Sequence, residues 1–171
     1  MKLSDVVDHS IMGSAYTLLT SETEYRQACD AILHRAEHEL LIFDRDLAAL
    51  RFEKDGRLES MANFLQADGL RRIRMVLHDP DSLERNAPRL LRLIMRMSHV
   101  IDVRQSPENL RHLTDTHFLA DNAHGVRRFH VDQPRSALII SDRTYIEPWQ
   151  QRFEELWLLS HPCLRIGRYE L

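Results

Sequence analysis

Apolar residues recur along the first two thirds of the chain with spacings that alternate between those of helices and of buried strands. Ser21 and Glu24 form a capping box, after which apolar positions follow at the three-to-four spacing of a helix with one buried face. Residues 40–43 are a short continuous apolar run bounded by charges, which is typical of a strand buried on both faces. The pattern predicts a helix followed by a core strand.

Two further cycles of the same kind follow. A helix around residues 58–65 precedes a strand at 73–77, and a helix around 88–97, with Pro88 in its first turn, precedes a strand at 100–104. Strands that alternate with helices at this spacing predict an α/β fold with a mixed, mainly parallel sheet, right-handed crossovers and helices on both faces.

The pattern changes after residue 115. Three short β-like runs, at 116–120, 126–131 and 137–141, lie too close together to have helices between them, and residues 121–125 form a turn sequence between the first two. They predict an antiparallel β-hairpin extension at the C-terminal end of the sheet. An amphipathic segment at 146–159 is expected to form a helix that covers one face of the sheet.

Composition predicts a compact protein. The chain has 171 residues, 43% of them hydrophobic and 29% charged, which is enough for one domain across residues 1–171 with a loose arm at 1–14 and a folded part at 15–171. No run approaches the roughly 18 apolar residues of a membrane span, and Asp5 and Asp8 argue against a signal peptide. We therefore predict a cytoplasmic protein without a membrane partner.

Charge and small motifs narrow the choice of ligand. The net charge of −3 makes nucleic acid an improbable partner, although residues 70–145 are rich in arginine, the side chain that best binds phosphate and carboxylate. No glycine-rich phosphate loop is present, and the sequence predicts neither a cofactor nor a metal. The ends of the predicted strands are polar, and ligands of open α/β sheets bind there. These residues are Asp44, Asp46, His78, Asp79 and Arg104.

The segment Thr116-His117-Phe118-Leu119-Ala120-Asp121 with its following turn and strand resembles the phospholipase D-like superfamily. The order of elements is similar from about Thr20 to Ser160. A bacterial branch of single-repeat domains in that superfamily is more similar still, through loose patterns: Asp44 at a strand end, Leu-His-Asp at 77–79, Leu-Ala-Asp at 119–121 before Gly125, and Phe-x-x-x-Trp at 153–157.

The resemblance implies a phospholipase D-like fold and, at His117, the nucleophile of a phosphodiesterase. It also implies that a single-repeat enzyme builds its site from two subunits. Only His117 matches the family's catalytic pattern, however, because Leu119 stands at the position of the phosphate-binding lysine, His124 stands at that of the aspartate, and no Gly-Ser pair follows. The catalytic set is therefore predicted to be degenerate.

A nearby arginine could replace the missing lysine. The candidates are Arg104, Arg127 and Arg128, and alternation along the strand places Arg127 and Arg128 on opposite faces, so that at most one of them points inward. We include Arg104 and Arg128 in the predicted ligand-binding set.

The sequence thus favours a non-catalytic domain that binds a protein partner or a phosphate-bearing ligand at the strand ends. The alternative is a phosphodiesterase with His117 as nucleophile in a homodimer formed through the face that carries the hairpin and His117. A third hypothesis is a zinc hydrolase, because residues 34–38 match H-x-x-E-H. Histidines near a helix C-terminus, favoured there by the helix dipole, are the simpler interpretation of that match.

Overall fold

The computed structural model describes residues 15–163, and the predicted loose arm at 1–14 lies outside them. In this range there are eight strands and five helices. The strands are β1 (Ala15–Leu19), β2 (Glu39–Asp44), β3 (Arg72–Leu77), β4 (Ile101–Gln105), β5 (Thr116–Ala120), β6 (His124–Arg128), β7 (Ser136–Ile140) and β8 (His161–Pro162). The helices are α1 (Glu22–Arg35), α2 (Arg57–Ala67), α3 (Leu83–Asn86), α4 (Pro88–Arg96) and α5 (Arg143–Leu159). No helix in this range is long and apolar enough to cross a membrane.

All eight strands form one open sheet in the order β1-β7-β6-β5-β2-β3-β4-β8. The predicted strands β2, β3, β4 and β5 are neighbours, as the sequence indicated, and β2 is parallel to β3 and β3 to β4. The expectation of a mainly parallel sheet is wrong, because every other pairing is antiparallel. Helical crossovers join only β2 to β3 and β3 to β4, whereas β5, β6 and β7 follow one another through short connections that reverse the chain.

Helices cover both faces of the sheet. Side chains of α1, α2 and α4 pack with one set of alternating strand residues, including Leu40, Ile42 and Phe118. On the opposite face, α5 packs Phe153, Leu156 and Trp157 against Leu41, Phe43, Val76 and Leu119. Adjacent residues such as Phe118 and Leu119 thus belong to different cores, as the two-residue period of a strand requires.

The turn between β5 and β6 is fixed by its own side chains. Asp121 and Asn122 have φ angles of 58° and 51°, in the left-handed region that these two residue types tolerate better than most. The Asp121 carboxylate also accepts backbone N–H groups from Glu37, His38 and Glu39 at 2.8 to 2.9 Å. The hairpin is thereby joined to the loop between α1 and β2, and its register with β2 is set.

Candidate functional site

A cleft lies where β2 and β3 end and β5 begins. Its volume is about 220 Å³. We call it the strand-end cleft, and its lining residues are Arg45, His78, Arg111, Leu113, Thr114, Asp115, Thr116, His130, Val131 and Asp132. The parallel strands β2 and β3 both point their carboxyl ends at it, which is where ligands of open α/β sheets bind.

The cleft presents hydrogen-bond donors of differing availability. Arg45 is paired with Asp132 at 3.1 Å, on the surface. Arg111 is exposed and has no ion-pair partner among residues 15–163. His130 accepts the Asp132 backbone N–H at Nδ1, so that a neutral His130 carries its proton on Nε2. Arg111 and His130 are therefore donors that a ligand can use.

His78 lines the cleft, and both nitrogens of its ring already have hydrogen-bond partners. Nδ1 lies 2.5 Å from Ser106 Oγ, and Nε2 lies 2.8 Å from the carbonyl oxygen of Leu113. Because a carbonyl can only accept, Nε2 donates and Nδ1 accepts from the serine hydroxyl. Burial lowers the pKa of His78, which fits this neutral, positioning role.

Beside the cleft, on the face covered by α5, a second group of polar residues surrounds His117. We call it the His117 cluster: Asp115, His117, Arg127, Trp149 and Arg152. The Asp115 carboxylate accepts two hydrogen bonds from Arg152, at 2.6 and 2.9 Å. Its Oδ2 also lies 3.5 Å from Nε2 of His117 and 3.5 Å from Nε of Arg127. The cluster gathers two guanidinium groups and an imidazole around one carboxylate.

His117 itself is buried and neutral. It is 2% exposed, and its ring lies 5.6 Å from that of Trp149. Burial, together with the positive charges of Arg152 and Arg127, lowers its pKa to about 3, although Asp115 acts in the opposite direction. Among residues 15–163, neither ring nitrogen has a hydrogen-bond partner.

Comparison with protein families decides the identity of the domain. The family model described as Domain of unknown function (DUF7931) matches residues 21–168. The chain belongs to this family. No curated protein matches its sequence.

Solved structures show which fold the DUF7931 chain has. Nuc from Salmonella typhimurium, described as a phospholipase D family member, is 10% identical, with a TM-score of 0.64 over 90% of this chain and 100% of its own. NucT from Helicobacter pylori is 8% identical, with a TM-score of 0.59 over 88% of this chain and 100% of its own. The archaeal chromatin protein TrmBL2 is 12% identical, with a TM-score of 0.65 over 86% of this chain and 54% of its own. The DUF7931 chain thus has a phospholipase D-like fold.

On that fold, His117 lies on β5 opposite Phe43 of β2 and Arg127 of β6. The prediction that Arg127 and Arg128 occupy opposite faces is confirmed, and it is Arg127 that lies beside His117. Leu119, which the resemblance to phospholipase D-like proteins places at the position of their lysine, has its side chain on the same face as His117 and is fully buried in the core beneath α5.

The structure does not bring Arg128 to His117. Arg128 points to the α1 face, where it binds both carboxylate oxygens of Glu22 at 2.7 Å. Its remaining donors reach the backbone carbonyl groups of His130 and Val131, at 3.3 and 2.9 Å. Arg128 therefore holds the loop that lines the strand-end cleft rather than pointing into it.

The other predicted residues are spread around the strand ends. Asp44 is buried, and burial and the nearby Asp46 raise its pKa to about 6, although backbone amides of residues 45–47 favour the charged form. Asp46 pairs with Arg45 at 3.5 Å, and Asp79 is exposed.

Arg104 lies 4.0 Å above the Trp157 ring and donates to the Trp157 carbonyl, so it holds the end of α5. Of the predicted ligand set, only His78 lines the strand-end cleft.

The two histidines of the H-x-x-E-H match do not lie on one helix. Helix α1 ends at Arg35, so His34 is helical and His38 lies in the loop beyond. Within residues 15–163 no three His, Cys, Asp or Glu side chains are placed to hold a metal ion.

Sequence reasoning missed most of the residues that face the cleft and His117. These are Arg45, Arg111, Asp115, His130 and Arg152, which come from connections and from α5. Arg45 could have been predicted from the sequence, because it lies between Asp44 and Asp46 at the end of β2. The others match no motif, and only the packing of α5 and of the two loops brings them together.

Proposed function

We propose that this chain is a catalytically silent phospholipase D-like domain that binds a small phosphate-bearing ligand in the strand-end cleft. The observation that carries the proposal is Arg111: an exposed guanidinium at the carboxyl ends of the parallel strands, without an ion-pair partner among residues 15–163. Guanidinium groups bind phosphate through two parallel hydrogen bonds. His130 Nε2–H supplies a further donor at the same cleft.

Catalytic silence is supported by Leu119, which stands where phospholipase D-like enzymes have a lysine. A phosphodiester that is attacked by a nucleophile needs preorganised positive charge where negative charge develops. Leu119 provides none, and its buried place beneath α5 leaves no room there for a solvated amine. Arg127 and Arg152 are near His117, but both share the carboxylate of Asp115.

The size and charge of the protein favour a small ligand over nucleic acid. A cleft of about 220 Å³ accepts a phosphate group with a small substituent. The net charge of −3 gives no general attraction to a polyanion. A cytoplasmic location remains a prediction of the sequence.

Calorimetric titration with inorganic phosphate at low ionic strength tests the proposal. We expect saturable binding that Arg111→Gln weakens at least about tenfold, because a charge-assisted hydrogen bond contributes about 1.5–3 kcal/mol. The matched control is Arg72→Gln, an exposed arginine at the opposite end of β3. Absence of binding to the wild-type protein, or equal losses in both variants, would refute a phosphate site in the cleft.

We also propose that two copies associate through the sheet face that carries His117. The hairpin is interior to the sheet. Within residues 15–163 the end strand β1 instead offers the apolar surface, because Tyr16 is 49% exposed and Leu18 is 42% exposed. Both side chains lie on the His117 face, in register with Gly125 and Arg127 through β7. Tyr145 of α5, also half-exposed, continues this surface at 5.8 Å from Tyr16.

A further inference from the structure

The Asp115 carboxylate occupies the centre of the His117 cluster. Both Nη atoms of Arg152 donate to it, and Arg127 Nε and His117 Nε2 each lie 3.5 Å from the same oxygen, Oδ2. Asp115 is itself 8% exposed. One carboxylate therefore lies next to three side chains, and only Arg152 donates hydrogen bonds to it.

The remaining groups of the cluster are left with unused hydrogen-bonding capacity. Both ring nitrogens of His117 and Nε of Arg127 are buried without a hydrogen-bond partner among the described residues. Buried polar atoms without partners are rare and costly, so such a set calls for a physical reason. Arg152 engages both oxygens of the Asp115 carboxylate, which leaves Arg127 Nε and His117 Nε2 at 3.5 Å from Oδ2 without a hydrogen bond. A tetrahedral oxyanion has more acceptor oxygens than a carboxylate and can accept from donors that converge from several directions.

We propose that Arg127, Arg152 and His117 form an oxyanion-binding site that Asp115 fills as an internal ligand, and that the phosphate group of a ligand competes with Asp115 for it. The proposal deepens the proposed function and rests on it, because Asp115 is also a wall of the strand-end cleft. It assigns to Asp115 the role of keeping phosphate away from His117 in the resting protein.

The backbone hydrogen bonds next to Asp115 do not involve its side chain. The preceding backbone is held independently, because the Leu113 carbonyl accepts from His78 and the Thr114 carbonyl accepts from the Val131 N–H at 2.7 Å. The two cations are accessible from solvent, since the side chains of Arg127 and Arg152 are 39% and 31% exposed.

Titration with inorganic phosphate tests the proposal in a protein whose cleft has been disabled by Arg111→Gln. We expect this single variant to bind phosphate weakly, and the double variant with Asp115→Asn to bind it at least tenfold more tightly, because the amide no longer competes for the guanidinium groups. Adding Arg127→Gln as a third change should remove the gain. Asp115→Ser leaves the same cations unpaired and should reproduce the gain if the asparagine variant does not fold, as judged by circular dichroism.

The matched control is Asp132→Asn in the Arg111→Gln protein. It changes the net charge by the same amount and releases Arg45 at the other side of the cleft. The proposal is overturned if this control gains as much affinity as Asp115→Asn, if the gain survives the loss of Arg127, or if a folded Asp115 variant gains nothing. Failure of the proposed function is a separate result: the Arg111→Gln variant then binds phosphate as tightly as the wild-type protein does, whatever the Asp115 variants show.

Discussion

Leu119 and Gly125 are cross-strand partners on β5 and β6, and the leucine side chain fills the space that a side chain at position 125 would need. A Cβ atom built on Gly125 would lie 2.7 Å from Leu119 Cδ2, 3.0 Å from Ile146 Cδ1 and 3.3 Å from Trp149 Cε3. Helix α5 can therefore lie directly on the hairpin only because residue 125 is glycine. The same close packing carries Trp149 to the ring of His117.

Gly125→Ala is expected to destabilise the protein by about 1–3 kcal/mol, because the added methyl group overpacks the contact between α5 and the hairpin. Urea unfolding at neutral pH measures the change. Gly69→Ala is the matched control, since a Cβ at that exposed glycine meets nothing within 4 Å. Equal stability of both variants would contradict the described contact.

Hydrolysis of bis-p-nitrophenyl phosphate is expected to be absent or very slow. Loss of one preorganised donor costs about a hundredfold or more in rate, and here the lysine position is occupied by buried Leu119. The assay compares wild-type protein with His117→Ala at equal concentration. Robust turnover that disappears in the alanine variant would establish the phosphodiesterase alternative and overturn the proposal of a catalytically silent domain.

The sequence predicted the central strands because helix and strand periods alternate cleanly through residues 22–104. It did not predict that β5 pairs antiparallel with β2, since periodicity places a strand in the chain but does not name its neighbours. Strand β8 has two residues, too few for any pattern. His117 was found through a family motif. Asp115 and Arg152 were not, because they lie 37 residues apart and meet only when α5 docks.

Asp44→Asn is expected to stabilise the protein at neutral pH by about 1–3 kcal/mol. The pKa of Asp44 is raised to about 6 from 3.8, so the folded state holds its proton more tightly than the unfolded chain does. Wild-type stability therefore falls as the pH rises from about 4 to 6, by an amount on the order of 3 kcal/mol. The asparagine side chain cannot ionise, so the variant does not lose this stability as the pH rises.

Urea unfolding of both proteins between pH 4 and pH 7.5 measures the effect. The advantage of Asp44→Asn should be smallest at pH 4, grow up to pH 6 and then stay constant. Asp79→Asn, an exposed aspartate just beyond β3, is the control and should show no such trend. A difference that is independent of pH would contradict a raised pKa.

His117 is expected to limit stability in acid. Its pKa is lowered to about 3 from 6.5, so the unfolded chain binds a proton that the folded protein excludes. Its stabilising contribution is complete above pH 6.5 and is lost as the pH falls toward 3, at about 1.4 kcal/mol per pH unit. His117→Gln should lower stability at neutral pH but flatten its decline below pH 6. His112→Gln, at an exposed histidine, should keep the wild-type slope.

Sedimentation equilibrium at micromolar concentration is expected to show a species of twice the 20.2 kDa chain mass. The reason is the half-exposed apolar surface of β1, the end strand of the sheet among residues 15–163. Apolar patches and sheet edges are commonly buried against a partner, and twofold pairing is the commonest way to do so. Leu18→Glu places a charge in that surface and should shift the equilibrium to monomer. Leu70→Glu is the matched control, because Leu70 is 81% exposed and lies in the connection between α2 and β3. A wild-type protein that sediments as a single 20.2 kDa species would exclude the dimer and, with it, any site built from two copies of His117.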